Sequence, residues 1–185
     1  MLTNETLSTI KNRRSIRNFK NKQIKDEELQ AVLNAGTYAP SANEQAWHFT
    51  VIQNKELLAW LNFEAKEIAK QYEPLQDLAN NERFNIFYNA PTVILVSGEE
   101  KAIAIESDCA AATQNMLLAA ESIGLGSCWI GFVLVMSGSP KAKEYLKKLG
   151  VPDGYKPYAS VALGYKNAEV SIAPPRKLNV INYIK

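Results

Sequence analysis

The chain has 185 residues, 46% of them hydrophobic and 22% charged, with a formal net charge of +2. That balance describes an ordinary globular protein and excludes disordered, collagen-like and mucin-like chains; so small a charge gives no compositional reason to expect a nucleic-acid partner. One histidine, His48, and two cysteines, Cys109 and Cys128, exclude a zinc finger and a disulfide scaffold and make a Ser-His-Asp triad a poor choice.

Residues 1–14 are polar where a signal peptide needs an apolar core. The most apolar helical stretch, 102–120, carries Glu106, Asp108, Gln114 and Asn115, so no membrane span is expected. Free thiols without an export signal suggest a cytoplasmic protein. No repeat, low-complexity tract or linker interrupts the sequence, which reads as one domain over 1–185.

In chain order, residues 5–12 read as a short helix feeding a basic turn. Asp26 is the expected N-cap of a helix to Ala35 with Leu29, Val32 and Leu33 as its apolar stripe, stopped by Tyr38-Ala-Pro40. Trp47 to Ile52 alternates as a strand, and 55–71 reads as an amphipathic helix. Residues 72–90 mix aromatic and polar side chains and suit a cover over a pocket. Thr92 to Val96 is a continuous apolar run, as in a central strand buried on both faces. Thirteen of the nineteen residues 102–120 are apolar, so that helix needs burial nearly all round, which a partner subunit could supply. Strands are expected at 127–133, introduced by a Gly124-Leu-Gly126 turn, and at 158–163; between them 140–149 is a helix closed by Gly150. The tail from Ala173 has no evident local partner. Loose alternation of helices and strands favours an α+β or three-layer α/β/α architecture.

Three segments carry candidate chemistry. Between Lys11 and Lys25 there are seven basic residues and no acid. A solvated face would explain a basic run, but Arg13-Arg14-Ser15-Ile16-Arg17 presents guanidinium forks and a hydroxyl suited to phosphate. An RNA-binding reading lacks the interleaved aromatics it needs. The second segment, Ala39 to Trp47, offers small and amide-bearing residues able to hydrogen-bond a planar heterocycle, or else a turn closed on itself. His48, next along, reads as an ordinary strand residue. The third is Gly124 to Phe132, where Gly131 either marks a bulge or lets a ligand approach the backbone. Gly124-Leu-Gly126 lacks the third glycine of a dinucleotide fingerprint and introduces a strand, so Rossmann binding is rejected. Cys128 reads as a small buried residue and not a nucleophile. Asp108 and Asn115 share a helical face, either as buried polar groups or at a ligand's edge.

Four pieces in order resemble the FMN-dependent nitroreductase family: Arg13-Arg-Ser-Ile-Arg17, Pro40-Ser-Ala-Asn43-Glu-Gln45-Ala-Trp47, Gly124-Leu-Gly-Ser-Cys-Trp-Ile-Gly131-Phe, and Arg176 after Pro174-Pro175. The resemblance implies a three-layer fold with a mainly antiparallel central sheet. It further implies a homodimer with FMN at the subunit interface and a C-terminal strand, within 173–185, exchanged over the partner. By motif position Arg13, Arg14, Ser15 and Arg17 would hold the flavin from one subunit, and Pro40, Ser41, Asn43 and Gln45 from the other. Ile130 and Gly131 would pass along the ring near N5, and Arg176 would help neutralise the phosphate. NADH or NADPH would be the transient electron donor and a nitroaromatic, quinone or similar small molecule the acceptor, in a ping-pong sequence with no dedicated protein acid. Ala46 stands where the family commonly has proline; for the flavin pyrimidine edge only Arg83 and Asn85 are candidates. The alternatives are a protein that stores or senses FMN without turnover, a specialised reductive enzyme of the same family, and a non-flavin phosphate- or RNA-binding module.

Overall fold

The computed structural model describes residues 2–42, 44–167 and 172–185. Its helices are α1 (Glu5–Asn12), α2 (Asp26–Thr37), α3 (Lys55–Ala69), α4 (Gln76–Asn80), α5 (Ile105–Ser122) and α6 (Ala142–Lys148). Its strands are β1 (Trp47–Ile52), β2 (Thr92–Glu99), β3 (Leu125–Ile130) and β4 (Tyr155–Tyr165), joined in one sheet of order β1-β2-β4-β3. All three strand pairings are antiparallel. No helix among the described residues is long and apolar enough to cross a membrane.

The sheet is the middle of three layers, as the alternation of helices and strands suggested. Along β2, Val93 and Leu95 join the core under α3, whereas Ile94 and Val96 join the core under α2 and α5. All four are fully buried, as a continuous apolar strand requires. β4 runs longer than the 158–163 read from its apolar residues because it is central and pairs along both edges, with β2 and with β3. The helix of 102–120 starts later, at Ile105, after a left-handed Ala104 (φ 56°). Within the chain α5 packs on the sheet and on α2, burying Cys109, Ala112, Met116 and Ala120; Ala110, Ala111 and Ala119 stay half-buried.

Two local expectations are corrected. Asp26 is the first residue of α2 and not its cap; the Glu28 carboxylate closes the helix start by accepting the Lys25 backbone N–H (2.8 Å). The 127–133 strand begins earlier and ends earlier, at Leu125 and Ile130, and Phe132–Gly138 coils into a 3-10 turn. Gly124 (φ 82°) alone makes the turn into it, because Gly126 is already paired with Gly164 of β4. A Cβ on Gly126 would stand 2.9 Å from the Ile16 side chain, so this glycine is required by packing. Gly150 (φ 71°) follows α6 as expected of a helix-ending glycine.

Glu28 Oε2 also accepts the Tyr165 hydroxyl (2.7 Å), tying the start of α2 to the end of β4. The Tyr165 hydrogen bond, and then that from the Lys25 backbone, hold the Glu28 carboxyl below its ordinary 4.5. A carboxylate with a depressed folded pKa contributes stability that is present above its unfolded pKa and is lost as pH falls through the folded value. Glu28→Gln should therefore lower the melting temperature by about 2–4 °C at neutral pH. The gap between variant and wild type should narrow as pH falls below the ordinary carboxylate range and through the lowered Glu28 value in a pH series of thermal melts; a gap that is constant with pH would remove Glu28 from the acid-sensitive contacts.

Candidate functional site

After α1 the chain turns extended and lies along the outer edge of β3. Ser15 and Ser127 form a parallel bridge in which the Ile16 N–H donates to the Ser127 carbonyl (2.9 Å). Further on, Phe19 bridges Lys166 and the Lys20 N–H donates to the Tyr165 carbonyl (2.9 Å). Ile16 and Phe19 are the buried anchors of this strap. Arg13, Arg14 and Ser15 are half-buried and Arg17 is exposed.

The basic run divides by role. Lys22 sits over the Tyr165 ring (5.1 Å) and Lys25 pairs with Glu27 at the surface (3.3 Å), so these follow the bland reading of a solvated, locally paired face. Arg14 Nη1 donates to the carbonyls of Lys11 and Arg13 (both 2.8 Å), closing the end of α1. Arg13, Ser15 and Arg17 gather around Cys128 of β3. Burial raises that thiol's pKa, only partly offset by Arg17, Ser15 and Arg13, so it is protonated at neutral pH. Cys128 is 2% exposed and behaves as the buried residue expected.

Gly131 lies where β3 ends. Its backbone is not left-handed (φ −90°), so no turn demands glycine there, and the register shift between β2 and β4 lies elsewhere, at Val96/Ser97, where Tyr158 of β4 is the extra residue. The residue is exposed, and a Cβ built on it would meet nothing within 4 Å. The preceding carbonyl, of Ile130, accepts the Ser160 hydroxyl (3.0 Å), which ties the end of the strand to β4. An anchored backbone with open space above it, at the end of the strand whose Cys128 the strap groups surround, is a surface a flat ligand can approach.

The loop between α2 and β1 is held by α5. Asp108 Oδ2, 7% exposed as a residue, accepts the Ala42 N–H (3.0 Å), and Asn115 Nδ2 donates to the Ala35 carbonyl (3.1 Å). The shared face of Asp108 and Asn115 thus fixes the loop backbone at Ala42 and the last turn of α2 at Ala35. Ser41 Oγ accepts the Gln45 N–H (3.2 Å), which stabilises a left-handed Gln45 (φ 48°). Pro40 and Gln45 are exposed and Ser41 half-buried, while Asn43 lies outside the described residues. This loop enters β1 at one edge of the sheet, whereas the arginine strap flanks β3 at the other. With strands ~4.8 Å apart, the four steps from β1 to the strap beyond β3 come to about 19 Å. One chain does not bring the two motifs together.

Arg176 is exposed on a segment without regular secondary structure, and Arg83 is exposed. The Asn85 side chain accepts the N–H groups of Phe87 (2.9 Å) and Asn89 (3.3 Å), shaping a turn. His48 is a half-buried β1 residue lying edge-on to Tyr155 (6.3 Å). The sequence reading missed how 81–90 is held. The Lys66 ammonium, on a buried residue of α3, donates to the carbonyls of Asn81 (2.7 Å) and Phe84 (3.0 Å), and Asn62 Oδ1 accepts the Ile86 N–H (2.9 Å). Their i,i+4 spacing on an otherwise apolar face of α3 was the available signal.

The family model for the nitroreductase family matches residues 10–165. A protein of Archaeoglobus fulgidus, described as a candidate NADH dehydrogenase/NAD(P)H nitroreductase, is 35% identical over 171 residues, covering 89% of this chain and 87% of its own. A crystal structure of a nitroreductase with bound FMN from Bacteroides fragilis superposes with a TM-score of 0.92 at 40% identity, covering 99% of this chain and 100% of that one. Another with bound FMN, from Desulfitobacterium hafniense, gives 0.87 at 32% identity with both chains fully covered. With the family match over most of its length and a three-layer antiparallel fold, the chain belongs to the nitroreductase family.

Proposed function

We propose that the chain is an FMN-dependent NAD(P)H oxidoreductase that acts as a homodimer. The observation that carries this reading is the set Arg13, Ser15 and Arg17 gathered around Cys128 of β3, the strand that ends at the anchored, open backbone of Gly131. The residues fit the group: an FMN phosphate carries nearly two negative charges, and guanidinium forks with an adjacent hydroxyl match its oxygens. The open space above Gly131 leaves a planar ring free to approach the backbone. FMN would supply ping-pong hydride transfer from NADH or NADPH to a nitroaromatic, quinone or similar acceptor.

The protein's part is to bind and orient. Arg13, Arg14, Ser15 and Arg17 hold the cofactor from one subunit, with Ile130 and Gly131 along its ring. Pro40, Ser41, Asn43 and Gln45 approach from the second copy, and Arg176 adds positive charge. The separation of the loop and the strap on opposite sheet edges supports a site completed by two chains. So does the exposed apolar tail: Leu178, Val180, Ile181 and Ile184 are each at least 66% exposed in the single chain. A crevice between α1, α2 and α5, lined by Thr9, Ala35, Leu118 and Ala119, is a further surface for the second copy.

Arg17→Ala should weaken FMN binding by about 1.5–3 kcal/mol, the scale of a charge-assisted hydrogen bond, in a fluorescence titration. Unchanged affinity would take Arg17 out of the site. Truncation after Pro175 should raise the monomer fraction in sedimentation velocity; a truncated chain still fully dimeric would show that the tail is not exchanged. Cys128→Ser should leave flavin reduction within about twofold of wild type, because a protonated buried thiol does no chemistry. A large loss of rate with flavin retained would reopen a chemical role. The reading as a whole is tested by anaerobic addition of NADH or NADPH to the FMN-reconstituted protein. Bleaching of the bound flavin band is expected, and a bound flavin that neither nucleotide reduces would favour storage or sensing.

A further inference from the structure

The Arg17 side chain is exposed, and its guanidinium carbon lies 5.7 Å from the centroid of the Tyr88 ring. The ring itself is fixed from several directions. Tyr88 (φ 54°) and Asn89 (φ 56°) are consecutive left-handed residues with side chains, a conformation that persists only where its surroundings impose it. Asn85 imposes it: its backbone carbonyl accepts the Tyr88 N–H (2.9 Å) and its side chain accepts the N–H groups on either side. Phe84 then meets Tyr88 edge-on at 6.0 Å and Phe132 at the same distance, and Phe132 directly follows Gly131. Lys66 grips the Phe84 carbonyl from α3. A continuous series of contacts therefore runs from the open glycine through Phe132, Phe84 and Tyr88 to Arg17.

We propose that Tyr88 is a positioning residue for Arg17, its ring face holding the guanidinium oriented toward the anionic part of the bound cofactor. The inference rests on the FMN reading above. A long exposed arginine loses rotamer freedom when it pairs with an anion; a ring that already restrains it reduces that loss. The left-handed backbone is thereby explained, since it turns the ring out of the 81–90 segment toward the strap and leaves Phe87 in the core. Substitution at position 88 then acts on cofactor affinity through Arg17 and not through a contact of its own.

The test is FMN affinity of the full chain, titrated in wild type, Tyr88→Phe, Tyr88→Leu, and a variant with a ring-trifluorinated phenylalanine at 88. Each substitution is repeated in an Arg17→Ala background. Tyr88→Phe keeps the ring face and should bind within about twofold of wild type, while Tyr88→Leu should bind about two- to fivefold more weakly. The fluorinated ring keeps the shape but withdraws electron density from the face, and it should resemble leucine. It also keeps the test open if Tyr88→Leu does not fold. In the Arg17→Ala background these differences should vanish. Equal affinity for the phenylalanine and fluorinated variants, or a loss that persists without Arg17, would overturn the positioning role while leaving the FMN reading intact. Absence of FMN binding by wild type would instead overturn that reading, and this proposal with it.

Discussion

The hydrogen bond from the Ile16 N–H to the Ser127 carbonyl closes an otherwise open sheet edge, and much of the functional surface follows from it. An exposed edge strand presents unpaired backbone groups, and proteins commonly cover it. Here the cover is the segment that carries the arginines. Ile16 and Phe19 sink into the core, and the intervening and preceding polar residues are left toward solvent or half-buried around Cys128. The close approach depends on Gly126, where any side chain would meet Ile16. Strap, edge and glycine form one device, placing Arg13, Ser15 and Arg17 around Cys128 of β3.

Burial of both sheet faces sets the second constraint. With α3 on one side and α2 and α5 on the other, the central strands β2 and β4 have no free face, which leaves edges and strand ends for ligand chemistry. The two motif-bearing segments then fall on opposite edges, a consequence of the order β1-β2-β4-β3. A four-stranded sheet is wide compared with an aromatic ring system, and that width is what underlies the two-chain site proposed above.

Buried polar side chains serve the loops more than they serve chemistry. Asp108 holds the α2–β1 connection, Asn115 the last turn of α2, and Asn62 and Lys66 the 81–90 turn. Backbone groups of irregular chain against a packed layer need such partners. An ammonium taken from water is tolerated at Lys66 because two carbonyl oxygens accept from it. Such groups make the loops precise enough to present a site.

Local pattern in the sequence was enough for the types of the longer elements, the both-faces-buried character of Thr92 to Val96, the glycine after α6 and the four ordered motifs, but not for α4 or the 3-10 turn at Phe132–Gly138. These depend on periodicity and side-chain chemistry, which act over a few residues. Strand limits at Leu125–Ile130 and Tyr155–Tyr165 were not legible, because a strand extends as far as its neighbours pair with it. Nor were the assignments of Gly124 to the turn, Gly126 to packing and Gly131 to open surface, since three glycines are chemically identical and differ only in what surrounds them. The contact between Arg17 and Tyr88 spans residues far apart in the chain. Only the tertiary structure decided it, because long-range proximity comes from strand order and packing, and no local pattern encodes either.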